Sequence, residues 1–224
     1  MITCVGGPTP GPGEARQGRH KQRYSENGAR LVAGCIPVRV TGDGSDPSNV
    51  QVLLVSSRGG KGYCLPKGGW EDDESVEAAA KRETVEEAGV RGVLEEPGLG
   101  QFPFARGKPL PADGPSPPGC VAHMFVMHVE EELEVWPEGH ERTRRWFPLL
   151  EASARCRYDW MRSALHAWME RKGWSDLLEQ AKGQAPIAGM VCDQPSDAAA
   201  AATALASSTD ADTSTNGASD SVEA

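Results

Sequence analysis

Apolar positions in this chain cluster into short extended runs, separated by stretches rich in glycine, proline and acids, with helical spacing appearing in only two places. Residues 30–40, Arg-Leu-Val-Ala-Gly-Cys-Ile-Pro-Val-Arg-Val, predict a first strand that ends before the loop 41–49. Residues 50–57, rich in Val and Leu, predict a buried strand. A turn over 58–62 and a short extended piece over 63–66 lead into a loop at Gly68. From about Ser75 to Ala88 the spacing is helical. Strands are then predicted over 90–95, 99–106 and 120–129, with a proline-rich loop over 107–119. Residues 146–150 predict a further extended stretch. Residues 159–172 predict a second amphipathic helix, with Trp160, Leu165 and Trp168 on its apolar side. Mixed strands around two helices predict an α/β layered sandwich.

Composition changes this picture mainly at the ends. The 224 residues suit one domain of ordinary size with extensions. The formal net charge of −9 is uneven, because from residue 183 onward there are six acids and no Lys or Arg. With its alanine run and Ser/Thr/Asp composition, 183–224 predicts a disordered acidic tail. Residues 1–17 predict a flexible arm, which leaves 18–182 as the domain. No apolar run is long enough to span a bilayer, so no membrane partner is expected. The opening residues lack the basic and apolar regions of a secretory signal. Arg16, Arg19, Lys21 and Arg23 leave a mitochondrial address open, although the Gly and Pro before them argue against an amphipathic transit helix. Six cysteines show no C-x-x-C spacing, and Cys35, Cys64 and Cys120 sit in strand-like runs as buried thiols would. That usage points to a reducing cytoplasmic or nuclear compartment.

The chemistry concentrates in the first helical segment. Asp72, Asp73 and Ser75 are candidate caps at its start, and Gly89 is a natural stop. At ~100° per residue, Val76, Ala80, Glu83 and Glu87 fall in one stripe, with Ala79 and Glu86 along its edge. Ala78, Lys81, Arg82 and Val85 lie toward the other side. A solvated acidic helix would place its acids opposite the apolar residues. Here Glu83, Glu86 and Glu87 share the inward face, where a carboxylate is costly unless paired or bound to a metal. Their i, i+3 and i+4 spacing lets the oxygens converge on one or two hard cations.

The order Gly68, then Glu74, then Arg82-Glu83-x-x-Glu86-Glu87-x-Gly89 closely resembles the signature box of the Nudix hydrolases. Thr84 departs from it, standing where that family usually has an aliphatic residue. The resemblance implies a Nudix-type sandwich and hydrolysis of phosphate anhydrides with Mg2+ or Mn2+. It further implies that Glu83 and Glu87 are metal ligands and Glu86 the general base or an additional ligand. Glu74 and Arg82 are then supporting residues, with Gly68 and Gly69 allowing close approach of the loop. Beyond the box, Val52-Leu-Leu-Val-Ser-Ser-Arg58, Pro66-Lys-Gly-Gly-Trp70, residues 131–138 and Arg144-Arg-Trp-Phe147 look like the diphosphoinositol polyphosphate phosphohydrolase branch. The forms Pro66–Trp70 and Cys156-Arg-Tyr-Asp-Trp-Met161 look most like its plant and algal members. This resemblance covers roughly residues 18–171.

A very anionic substrate also suits the basic residues near the predicted cleft, since phosphate clusters need several Arg or Lys donors. These are Arg19, Lys21, Arg23, Arg58, Lys61, Lys67, Arg106, Lys108, Arg142, Arg144 and Arg145. Arg58, Lys67, Arg23 and Arg144, with Gly68 and Gly69, are the expected substrate contacts. A diadenosine polyphosphate or another nucleoside diphosphate linked to a further group is the alternative substrate, with Trp70, Phe104 and Tyr63 as the candidate adenine contacts. A weakly catalytic module binding RNA 5′ ends is the alternative of another class, but no nucleic-acid-binding motif is visible and no specific nucleic-acid partner is expected.

Overall fold

The run with helical spacing ruled out and almost no polar residues becomes the centre of the sheet. In the computed structural model, which describes residues 18, 20–42, 44–58, 60, 62–105 and 119–184, strand β1 (Arg30–Val40) is buried without interruption from 32 to 38. It pairs in parallel with β7 (Cys120–Glu132), and antiparallel with β2 (Val50–Ser56) and β4 (Lys67–Gly69). On β7 lie β5 (Val90–Leu94) and β6 (Gly100–Phe104), both antiparallel. On β2 lie β3 (Tyr63–Cys64) and β8 (Arg144–Pro148), also antiparallel. Among the described residues the result is one mixed eight-stranded sheet.

Helices cover both faces, as an α/β layered sandwich requires. Helix α1 (Val76–Ala88) packs on β1 and β4. On the opposite face lie α2 (Leu149–Arg155), α3 (Asp159–Arg171) and α4 (Ser175–Gly183). Register shows the alternation directly. Cys35 and Phe125 are partners, and the Cys35 thiol donates to the Ala80 carbonyl of α1 at 3.5 Å. His128, an odd number of residues from Phe125, points the other way. It meets Glu95 at 2.7 Å, and Glu95 accepts a 3.2 Å bond from Trp168 Nε1 of α3. Trp168, Leu165, Met161, Ile36 and Leu53 are among the fully buried core side chains. Cys35, Cys64, Cys120 and Cys156 are buried free thiols, and burial pushes Cys35 up to about 12, which keeps it an unreactive thiol.

Three expectations need correction. Residues 67–69 are a strand, because the Lys-Gly-Gly backbone pairs with 32–34 of β1 despite its low strand propensity. Residues 149–155 turn helical immediately after Pro148, where extended structure was expected to reach Leu150. Residues 175–183 form α4, which the sequence reading leaves unassigned. The expected arm, the proline-rich loop and the tail from 185 on lie outside the described residues, as do Arg19, Lys61, Arg106 and Lys108. No helix among the described residues is long and apolar enough to cross a membrane.

Candidate active site

The acidic helix is held at both ends by local chemistry. Ser75 Oγ accepts a bond from Ala78 N at 3.2 Å, the capping interaction that starts α1. Gly89 ends it in the left-handed region at φ 63°, where a side chain would be strained and would also collide with Trp136, 2.6 Å from a Cβ built there. Thr84 is fully buried, and its hydroxyl donates to the Ala80 carbonyl one turn back at 2.7 Å. Its polar atom is therefore satisfied inside the helix, so the departure from an aliphatic residue leaves no unpaired group in the core.

Strand β4 runs alongside α1 and brings Gly68 against Glu83 and Lys67 against Glu87. A Cβ built on Gly68 would lie 1.9 Å from one Glu83 carboxylate oxygen and 2.4 Å from the other. Only glycine leaves that carboxylate its place. The pleat turns Gly69 to the other face, toward Gln22 and Arg30, so its small size serves packing there.

Arg82 gathers the acids. It donates to both oxygens of Glu74 at 3.0 and 2.7 Å, to Glu83 at 2.8 Å, to Glu86 at 3.3 Å, and to the Gly69 carbonyl at 2.8 Å. The expectation that Arg82 lies toward the far side of the helix is thus corrected. Its long stem carries the guanidinium around the helix to the carboxylate face, where it is only 16% exposed. Glu74 also accepts from Glu71 N at 3.1 Å, while its carbonyl accepts from Trp70 Nε1 at 3.1 Å, which closes the connection between β4 and α1.

Glu87 is held by a different set. One oxygen accepts from Lys67 N at 3.0 Å and the other from Arg142 Nη2 at 2.5 Å. Arg142 in turn donates to Glu138 at 2.5 Å and to the Ser56 carbonyl at 3.0 Å. Glu138 also accepts from Arg58 Nη2 at 2.7 Å, and its amide donates to the Glu86 carbonyl at 3.0 Å. Glu138 was not among the candidates from sequence, and Arg142 only among the cleft bases. The signal that could have found the pair is their i, i+4 spacing of opposite charges.

The remaining predicted contacts divide. Arg23 donates to the carbonyls of Glu71 and Asp72 at 2.9 and 2.7 Å and lies over Trp70, so it pins the loop. Arg144 donates to the carbonyls of Ala88, Gly89 and Leu133 at 3.0, 2.8 and 2.8 Å and lies over Trp136, so its donors are used on the C-terminal end of α1. Arg58 is 65% exposed and meets Glu138 and Glu141. Lys67, half-buried on β4, makes no ion pair within 4 Å among the described residues.

Five carboxylates (Glu74, Glu83, Glu86, Glu87 and Glu138) thus surround two largely buried guanidiniums, Arg82 and Arg142. The surplus of negative charge has visible effects. Burial, reinforced by Glu87 and Glu86 and opposed by Arg82, pushes the Glu83 carboxyl up to about 7. Burial likewise raises Glu87, although Lys67 and Arg142 pull it back. Among the described residues no three acids already close around an ion, because their oxygens are turned to Arg82 and Arg142. The donor set nonetheless fits a hard divalent cation: Glu83, Glu86 and Glu87 supply carboxylate oxygens, unbalanced negative charge favours a cation, and Gly68 leaves room at Glu83.

The profile described as the NUDIX domain matches residues 29–168, which is more than half of the chain. The chain belongs to the Nudix family. Relatives agree. This Nudix hydrolase is 50% identical over 157 residues to "Nudix hydrolase 16, mitochondrial" of Arabidopsis thaliana, covering 67% of this chain and 85% of the relative. It is 46% identical over 163 residues to "Nudix hydrolase 13, mitochondrial" of the same plant, covering 69% and 80%. To "Nudix hydrolase 21, chloroplastic", also from Arabidopsis, it is 44% identical over 173 residues, covering 74% and 82%. As a Nudix hydrolase it acts on phosphoanhydride substrates, and enzymes of this family use divalent ions such as Mg2+ or Mn2+.

Proposed function

We propose that this Nudix hydrolase cleaves the phosphoanhydride bonds of diphosphoinositol polyphosphates. The observation that carries the reading is the contrast across the site: a buried acidic helix, bordered by Lys67 with no ion pair among the described residues and by the exposed Arg58. A substrate dense in phosphate supplies an anionic partner to Lys67 and a further one to Arg58, which is exposed although already paired with Glu138 and Glu141, and each charge-assisted contact contributes about 1.5–3 kcal/mol. The resemblance of residues 52–58, 66–70 and 144–147 to that branch of the family supports the same reading.

In this reading Glu83 and Glu87 would hold a divalent ion, which when bound would supply charge neutralisation for the pyrophosphate and a lowered pKa for water. Glu86 takes the proton from the attacking water. The water oxygen bonds to phosphorus, the bridging P–O bond breaks, and its electron pair leaves with the phosphate fragment. Arg82 and Glu74 keep Glu83 and Glu86 in position, Gly68 gives Glu83 its space, and Lys67 and Arg58 receive the outer phosphates. Arg23 and Arg144 act on the framework, through the main-chain carbonyls that they hold.

The test is metal-dependent phosphate release from a panel of inositol pyrophosphates, diadenosine polyphosphates and capped RNA, with Mg2+ and with Mn2+. Preferred turnover of inositol pyrophosphates supports the reading, and preferred turnover of either other class overturns it. Lys67→Ala and Arg58→Ala should lose roughly ten- to hundredfold in kcat/KM on an inositol pyrophosphate, corresponding to one charge-assisted contact each. They should lose much less on a small substrate carrying a single pyrophosphate. Two of the relatives above are named mitochondrial and one chloroplastic. The buried thiols favour a reducing compartment for this chain, and imaging of the full chain tagged at its C-terminus decides between cytoplasm or nucleus and an organelle.

A further inference from the structure

Outside the signature box, one buried acid that the sequence did not single out touches the site at three points. Glu138 is 8% exposed and sits in the turn between β7 and β8. Its amide donates to the Glu86 carbonyl at 3.0 Å, tying that turn to the C-terminal half of α1. One of its oxygens receives Arg142 Nε at 2.5 Å, and the other receives Arg58 at 2.7 Å. Arg142 is in addition held by the Ser56 carbonyl, and reaches Glu87 with Nη2. Two buried carboxylates therefore share one guanidinium, Glu138 at Nε and Glu87 at Nη2.

That sharing has a direction. A guanidinium left alone with Glu87 would neutralise it fully and oppose any cation arriving there. Glu138 takes part of that charge and holds the fork through Nε, so Glu87 stays oriented without being fully neutralised. We propose that Glu138 is a positioning residue for the hydrolytic site, acting through Arg142 to hold Glu87 ready for a divalent cation. The proposal rests on the reading of Glu87 as a metal ligand given above. Half-exposed Glu141, which meets Arg58 and not Arg142, provides the internal control.

The experiment uses the full chain and Mn2+ alone, with binding read by electron paramagnetic resonance or calorimetry in the absence of substrate. Glu138→Gln keeps the side chain's size and removes its charge. It should weaken Mn2+ binding by roughly tenfold, the lower end of what outer partners of metal ligands command. Glu141→Gln should leave binding within about twofold of wild type, the scatter expected of a residue that touches neither Arg142 nor Glu87. In an Arg142→Gln background, Glu138→Gln should then add less than about twofold, because the route to Glu87 is already cut. Unchanged Mn2+ affinity in a folded Glu138→Gln protein, or full additivity with Arg142→Gln, overturns the proposal. If Glu138→Gln does not fold, the wild type carries the test by NMR. The Arg142 Nε proton should exchange with water far more slowly than that of Arg58, with and without Mg2+, and equal exchange overturns the proposal. A protein that binds Mn2+ as described and cleaves none of the anhydride panel would refute the functional reading while leaving the role of Glu138 standing.

Discussion

Replacing Gly68 by alanine separates the site's chemistry from the fold's stability. The backbone at Gly68 is ordinary β-strand paired with Ala33, so alanine meets no conformational penalty there. Its methyl would sit 1.9–2.4 Å from the Glu83 carboxylate atoms. Ordinary van der Waals contact is about 3.5 Å, so the carboxylate must retreat by more than an ångström. The colliding atoms are the end of a flexible side chain, and the retreat sacrifices the 2.8 Å bond from Arg82. Arg82 keeps both oxygens of Glu74 and the Gly69 carbonyl, so it is not orphaned. The loss of one hydrogen bond and an off-rotamer side chain together come to about 1–3 kcal/mol. In a domain of this size that lowers the melting temperature by about 2–10 °C. Catalysis should suffer more, since a displacement of about 1 Å in a reacting group costs on the order of 100-fold. Circular dichroism melting and single-turnover hydrolysis of an inositol pyrophosphate measure the two effects. Near wild-type turnover in the folded variant would refute the assignment of Glu83 to the reacting centre. Outright unfolding would show that the Gly68–Glu83 contact belongs to the core instead.

Three further outcomes follow from the same geometry. Glu86→Gln and Glu87→Gln should each lose at least about 100-fold in kcat while staying folded, in line with removal of a base or ligand; near wild-type kcat at saturating Mg2+ would remove that residue from the mechanism. In EDTA, Glu83 holds a proton in the folded state up to about pH 7, well above the ordinary carboxylate range. That stabilising contribution is present at low pH and is lost as pH rises through the folded-state value. The stability of Glu83→Gln relative to wild type should therefore rise between about pH 4.5 and 7, and a relative stability that falls over this window would contradict the burial argument. Arg144→Ala, which strips the main-chain carbonyls at the end of α1 of their donor, should cost about 1.5–3 kcal/mol and lower the melting temperature by roughly 4–10 °C with KM unchanged. A raised KM with unchanged melting would instead make Arg144 a substrate contact.

What the sequence could reveal divides along a physical line. Strand β1 was legible at both ends, because an apolar run flanked by a Gly/Asp/Ser/Pro loop is decided locally. The start of α1 at Ser75 and its stop at Gly89 were legible for the same reason, each being a short-range backbone requirement. Strand β4 was not, since Lys67-Gly68-Gly69 has no strand preference of its own and is extended only because β1 lies alongside. Helix α2 follows Trp-Phe-Pro and has seven residues, too few for periodicity to register. Within the site, the carboxylates share the inward face as their spacing predicts, whereas the arginines' positions depend on long stems that periodicity does not describe. Arg82 wraps back onto the acids, and Arg23 and Arg144 turn to main-chain carbonyls. Composition could count those bases as cleft residues but could not say which carbonyls they would meet.

The attachment of Arg142 to Glu87 also bears on how the protein comes to be active during synthesis. Glu74, Arg82, Glu83, Glu86 and Glu87 lie within fourteen residues and can assemble with β4 as soon as that segment has a surface to rest on. The β1–β7 pairing joins residues some ninety positions apart, and Arg142 lies fifty-five beyond Glu87. Such distant closures come late in folding. A chain emerging in order from the ribosome therefore displays its acidic helix well before the guanidinium that orients Glu87 exists. An unfinished molecule thus has the acidic helix without the Arg142–Glu138 framework, which is completed with the last long-range strand pairings.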